Sequence, residues 1–180
     1  MPPHLSLNPV KLIIGFISPE ESNLRKTQSI LEKRFGKIDY ESEPLPFDYT
    51  DYYEKEFGKN LQRKFISFKK LINPAFLPEI KLASIAVEKR LSRGLKRTIN
   101  IDPGYLDLAK LILATTKDYN HRIYLAKGIF AEVTLYYSGK SFKPWEWTYP
   151  DYRQDEVIRL FNRLRSRYAE DLRQGVMGPC

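Results

Sequence analysis

The chain has a single cysteine in 180 residues, and it is the last one, Cys180. One thiol cannot close an internal disulfide, and a chain terminus is a poor place to position a nucleophile. Neither a disulfide framework nor cysteine catalysis is therefore expected. Histidine is almost as scarce. His4 falls in a proline-rich tail, which leaves His121 alone. One usable histidine, no usable cysteine and no ligand spacing argue against zinc, and no metal site is expected. No apolar run approaches the roughly 20 residues of a membrane span. The longest, Val10 to Ile17, is interrupted by Lys11 and Gly15. No basic–apolar–small leader opens the chain, so a cytoplasmic location is expected. Internal repeats and low-complexity segments are absent.

Phosphate-loop chemistry is missing as well. Gly139-Lys140-Ser141 invites that reading, but the motif needs a glycine five residues before Gly139, and Thr134 stands there. A helix should follow, with its N-terminus facing the phosphate; Phe142-Lys143-Pro144 follows instead. Gly15 has no second and third glycine to complete a dinucleotide fingerprint.

What remains is an ordinary globular composition, 42% hydrophobic and 29% charged. A chain of this length buries roughly 70% of its unfolded surface, enough for one core without disulfide or metal. A single domain is expected over 10–172, with tails over 1–9 and 173–180. The net charge is +8. Between Asp39 and Phe57, seven carboxylates face Lys55 alone, a local charge of −6 that leaves +14 for the rest. A basic balance suits anionic partners: nucleic acid, nucleotides or phosphorylated metabolites. Internal ion pairing is the competing reading.

Local patterns predict a strand over Val10–Ser18, a short branched apolar run. Ser18-Pro19-Glu20-Glu21 then starts a helix, with Ser18 and Glu21 as a capping box. Its apolar face is Leu24, Thr27, Leu31 and Phe35, and Gly36 closes it. Strands follow over 37–43, 50–57 and 61–72. Gly58-Lys59-Asn60 makes a turn, and acidic and basic neighbours pair across the hairpin. A helix over 78–92 carries Ile80, Ser84, Val87 and Leu91, with Gly94 after it. A strand over 95–101 ends at an Asp102-Pro103-Gly104 turn. The order strand–helix–strand–strand–helix–strand is the split βαβ, or ferredoxin-like, arrangement. Residues 105–116 fit either a short helix and a strand or one long strand. A hairpin follows, 119–126 and 129–137 about Lys127-Gly128, then a loop over 138–147. The terminal helix over 151–172 has Asp151 and Gln154 as a capping pair. The expected fold is α+β: a ferredoxin-like core, an added antiparallel hairpin and a C-terminal helix.

The chemically dense stretch is Asn100 to Arg153, with His121 and both tryptophans. In a two-residue turn Ile123 faces Glu132 and His121 faces Thr134, so His121, Glu132, Thr134, Tyr119 and Tyr136 share a face. A histidine beside a glutamate can act as general acid or base, and Asp102 at a strand end could accept a proton. Asp102, His121 and Glu132 are thus the candidate catalytic residues. Lys117, Arg122 and Lys127, with Tyr149 and Arg153, are the candidate ligand-binding residues, cations gripping an anion and a ring stacking on it. Arg159, Arg163 and Arg167 line one side of the terminal helix, either a solvated face or a phosphate-binding stripe. Arg165, inside the apolar arc, should reach a buried carboxylate, Asp102 or Glu132. Trp145 to Arg153 is either a stacking platform or a loop tied to the sheet by its rings.

With INIDPGYL, LATTKDYNHRIYLAKGIFAEVTLYY and WTYPDYR, nearly the whole chain resembles an uncharacterised family of bacterial and archaeal proteins known only as a domain of unknown function. The resemblance implies no activity and no cofactor. Members sometimes carry a GTP-binding label. This sequence departs from it in the phosphate loop and in having Thr115-Thr116-Lys117-Asp118 where a guanine-reading Asn-Lys-x-Asp would stand.

Three functional classes remain open. The first, which the basic balance favours, is a module binding an anionic ligand such as a nucleotide, RNA or phosphorylated metabolite. The second is an enzyme acting on a small anionic substrate through Asp102, His121 and Glu132. The third is an assembly protein that oligomerises through the acidic, tyrosine-rich segment around Tyr52.

Overall fold

In a computed structural model, residues 7–175 are described. Most of both expected tails, 1–6 and 176–180, lies outside the described residues. The described residues form four helices and one nine-stranded antiparallel sheet. The elements run β1 (Val10–Ser18), α1 (Glu21–Phe35), β2 (Ile38–Glu41), β3 (Leu45–Pro46), α2 (Glu54–Phe57), β4 (Gln62–Ile72), α3 (Leu77–Leu91), β5 (Asn100–Leu106), β6 (Lys110–Thr115), β7 (Arg122–Ala126), β8 (Ile129–Ser138), β9 (Ser141–Pro144) and α4 (Asp155–Arg173). The chain is α+β.

The spatial order is β2-β4-β1-β5-β6-β8-β7. β2 and β3 lie end to end along β4, and β7 and β9 lie end to end along β8. β1 is central, and all nine of its residues are buried. Its alternating side chains feed two cores. Leu12, Ile14 and Phe16 pack with Leu24 and Leu31 of α1 and Ile80 and Val87 of α3. Ile13 faces the other way, toward Phe65, Leu135 and the Val157, Phe161, Leu164 and Tyr168 stripe of α4. The result is three layers, α1 and α3 on one face and α4 on the other. Among the described residues no helix is long and apolar enough to cross a membrane.

Several local expectations are corrected. The capping box at α1 does not form. Glu20 is the N-cap, its N–H donates to Ser18 Oγ at 3.2 Å, and Glu21 pairs with Arg25 instead. Residues 50–57 are not a strand but turns leading into α2, a single helical turn. The Phe47, Tyr53 and Phe57 rings pack on one another there, whereas a strand would set Tyr53 and Phe57 about 13 Å apart. Asp151 and Gln154 form no capping pair on α4: Gln154 is the N-cap but makes no side-chain capping bond, and Asp151 lies in a 3₁₀ turn over Pro150–Arg153. Gly94 sits in a tight turn between Arg93 and Lys96, beyond the Ser92 cap of α3. Residues 105–116 are neither helix plus strand nor one strand, but the end of β5, a turn and β6. Gly139-Lys140 is the turn of the β8–β9 hairpin, so the expected loop over 138–147 contains a strand, and a strand rather than a helix follows the Gly-Lys pair.

The largest correction concerns Asp102-Pro103-Gly104. It is not a turn but the middle of β5, paired with β1 through Gly15, Ile14 and Ile13. Beside β6 the pairing extends only over Gly104–Leu106. Glycine is required there: a Cβ on Gly104 would stand 2.1 Å from the Ile112 carbonyl oxygen. Proline has no N–H to give a ladder, and pairing with β6 stops beside it. Beyond Pro103 the two strands part.

Candidate functional site

The parting of β5 and β6 opens a cavity of about 550 Å³. α3 lines it from one side with Lys81, Ile85 and Glu88. Arg63 of β4 and Asp151 and Tyr152 of the 3₁₀ turn line it from the other. The ends of β6 and β7 contribute Leu113 to Lys117 and Arg122, and β8 contributes Glu132. An arch over 47–53 covers it, with Phe47, Tyr49, Tyr52 and Tyr53 in the lining.

Where β6 departs, the backbone of Ile101 loses the partner a sheet would supply, and α3 replaces it. Lys81 Nζ donates to the Ile101 carbonyl at 2.9 Å, and the Ile101 N–H donates to Glu88 Oε1 at 2.6 Å. Buried backbone groups must be paired, so these two charged residues are held on the buried side of α3. Burial pushes the Glu88 carboxyl above its ordinary range, against the pull of the Ile101 N–H, Lys81 and Arg97. Arg97 closes this corner, donating to both Glu56 oxygens at 2.6 Å and to Glu88 at 3.3 Å.

Arg63 is the centre of the site and is only 5% exposed. Its Nη1 donates to Asp102 Oδ2 at 3.2 Å. Its Nη2 lies 2.7 Å from Asp151 Oδ2 without the alignment of a hydrogen bond, and its Nε has no partner among the described residues. The Phe47, Phe65 and Tyr152 rings surround the guanidinium at 5.3–5.5 Å. Gly15 makes room for it, since a Cβ there would stand 2.9 Å from Nη1. Burial raises the Asp151 carboxyl, offset in part by Arg63, and raises the Tyr53 and Tyr152 phenols, each again opposed by Arg63.

Of the eight candidates read from sequence, Asp102, Glu132, Lys117, Arg122 and Tyr149 line this cavity. Asp102 accepts from Arg63 and from Asn100 Nδ2 at 2.8 Å. Arg122 donates to Glu132 at 3.0 Å and lies 3.4 Å from the Tyr149 hydroxyl. Lys117 donates to the Tyr52 hydroxyl at 2.7 Å and sits over its ring. His121 stands behind the wall, its Nε2 3.1 Å from Glu132 Oε2 and its ring stacked on Trp147. Lys127 and Arg153 do not line the cavity. Lys127 pairs with Glu79 at 2.8 Å. Arg153 grips the carbonyls of Trp145, Glu146 and Thr148.

His121 meets Glu132 by a route other than the expected register. A bulge between Tyr124 and Ala126 shifts β7 by one residue, so Arg122 rather than Ile123 faces Glu132. His121 itself precedes the strand. Of the two readings of Trp145 to Arg153, the loop tied to the sheet holds. Trp147 Nε1 donates to the Val133 carbonyl at 2.9 Å, and Thr148 Oγ1 to Thr134 at 2.6 Å. Trp145 and Trp147 stack on each other. Arg165 reaches neither Asp102 nor Glu132; its Nε donates to the Leu108 carbonyl at 2.7 Å, and the guanidinium lies 3.5 Å from the Tyr137 ring centre.

Arg63, Lys81, Glu88, Arg97 and Asp151 were not among the candidates. The signal for two of them was present: Lys81 and Glu88 follow Ile80 and Val87 on a stripe that should be apolar throughout. Among the described residues no group of three or more His, Cys, Asp or Glu side chains could hold a metal ion. No curated protein and no solved structure matches the chain. Residues 8–168 match the pattern of a single family, described as a domain of unknown function, and the chain therefore belongs to the DUF4416 family.

Proposed function

We propose that this protein binds a small anionic metabolite, phosphorylated or carboxylated, in the cavity between β5 and β6. The observation that carries this reading is Lys117: an exposed cation in the cavity lining with no carboxylate partner among the described residues. A volume of about 550 Å³ suits a small molecule. A cavity roofed by the 47–53 arch, rather than an extended basic groove, favours such a ligand over RNA. The segment around Tyr52 covers a cavity in its own chain, which favours ligand binding over assembly through that segment. A metabolite of this kind fits the expected cytoplasmic location. The spatial order of the core strands supports a ferredoxin-like core: taken as first to fourth, β1, β2, β4 and β5 lie in the order fourth–first–third–second, with both intervening helices on one face.

The test is a thermal-shift screen with phosphates, carboxylates and nucleotides on wild type, Lys117→Ala and Arg122→Gln. A ligand at a hundred times its Kd stabilises the fold by roughly 2.7 kcal/mol. The expected result is a shift in wild type that shrinks in both variants. Equal shifts in all three would defeat the proposal.

The His121–Glu132 contact favours a second reading, an enzyme in which Glu132, held by His121, exchanges a proton with substrate in the cavity opposite Asp102. His121→Ala then lowers turnover of a bound compound and leaves its binding intact, whereas a pure binding protein turns over nothing.

A further inference from the structure

We infer that the ligand is a polyol or sugar carrying one anionic group, with its hydroxyls inside and its anion at the mouth. This rests on the reading of the cavity as a ligand site. The distribution of charge along the lining carries it.

At the exposed end of the lining stands Lys117. Lys117 is exposed, and among the described residues its ammonium is engaged only by the neutral Tyr52 hydroxyl and ring. That end has a cation to spare for an anion. The rest of the lining is different. Arg63, Lys81, Arg97 and Arg122 face Glu88, Asp102, Glu132 and Asp151, four cations against four carboxylates. A balanced interior gains nothing from a second anion, and a polyphosphate would meet its carboxylates unfavourably. What it offers is donors and acceptors side by side. Asp102 Oδ1 lies 3.8 Å from Lys81 Nζ, beyond hydrogen-bond reach, and keeps acceptor capacity. Lys81 Nζ, hydrogen-bonded to the Ile101 carbonyl, has donors left among the described residues. Thr115 and Thr116 add hydroxyls to the lining.

A ligand hydroxyl is one donor and an acceptor at once, so carboxylate and cation set side by side are the pair it satisfies fully. A single carboxylate or a lone guanidinium would satisfy half of it. The Phe47, Tyr49 and Tyr149 rings give the apolar faces against which the C–H surface of a sugar can lie.

The experiment is isothermal titration calorimetry of the full chain with ribose 5-phosphate, glucose 6-phosphate and gluconate. Inorganic phosphate, phenyl phosphate and ATP are the controls. At least one hydroxylated anion is expected to bind about tenfold more tightly than all three controls. Lys117→Ala, at the exposed mouth, should weaken it about tenfold. Asp102→Asn should bring it down to the affinity of inorganic phosphate. Because Asp102 also holds Arg63, Thr115→Val, half-buried in the lining, serves as a second variant outside the ion pairs, and it should weaken the sugar derivative while sparing inorganic phosphate. Phenyl phosphate or ATP binding as tightly as any sugar derivative overturns the polyol inference and leaves an anion site standing. Binding by none of the six overturns both.

Discussion

At the scale of single residues, two positions report on the parting of β5 and β6. Gly104 lets β6 come so close that an added methyl meets a backbone oxygen, not a side chain that could swing away. Gly104→Ala should cost about 3 kcal/mol, the upper part of the usual overpacking range, read as a lower midpoint in urea unfolding. Glu88 reports through pH. Burial raises its pKa in the fold, so the folded chain holds that proton more tightly than the unfolded chain. Its share of stability is complete below the ordinary carboxyl value of 4.5 and is lost as pH rises through the folded-state value. Glu88→Gln keeps an oxygen for the Ile101 N–H and removes the titration. Melting temperatures of wild type and variant should therefore move apart in the variant's favour as pH rises from the ordinary carboxyl value of 4.5. A constant gap would show that Glu88 titrates alike in both states.

At the scale of elements, a buried lysine ties three of them together. Lys11 of β1 is fully buried, with Asp39 of β2 at 2.7 Å, Asp171 of α4 at 2.9 Å and the Phe68 carbonyl of β4 at 3.1 Å. Lys11→Met leaves two carboxylates that still reach water, so the loss should be about 3 kcal/mol, the low end for a broken buried pair. Hydrogen exchange should then speed up in the last two turns of α4 before it does in β1. Elements with a strong local signature were legible in the sequence. The apolar run of β1 has the bounds its pattern predicts, and Lys127-Gly128 turns the hairpin with both residues at positive φ. Features decided by neighbouring strands were not. Asp-Pro-Gly carries every local mark of a turn, yet close approach by β6 explains the glycine and the end of that pairing explains the proline. The one-residue bulge in β7 has no signature in Arg122–Ala126. The site was half legible for the same reason. Arg122 and Glu132 stand on a hairpin that local rules find, with Lys117 just before it, whereas Arg63 and Asp151 meet only because β4 and the 3₁₀ turn before α4 fold onto the same end of the sheet.

At the scale of the molecule, the acidic segment between Asp39 and Phe57 is fastened to basic residues far away in sequence. Asp39 meets Lys11, Glu41 meets Lys64, and Glu56 meets Arg97. The ion-pairing reading of the charge asymmetry therefore accounts for these acids, and the excess of cations is spread over the rest of the surface. The arch over the cavity depends on one such fastening. Glu56→Gln should expose it to limited proteolysis between about residues 47 and 60, while the global melt moves little, since a half-exposed pair is worth roughly 1 kcal/mol or less. Protection that survives the substitution would assign the arch to its ring packing alone. Pro103 also bears on how this hollow could have come into being. An ordinary amino acid there would carry the amide hydrogen that an advancing strand needs, and one obstacle to sealing the gap would vanish. Room for a guest inside this chain thus hangs on a hydrogen that an imino acid does not have.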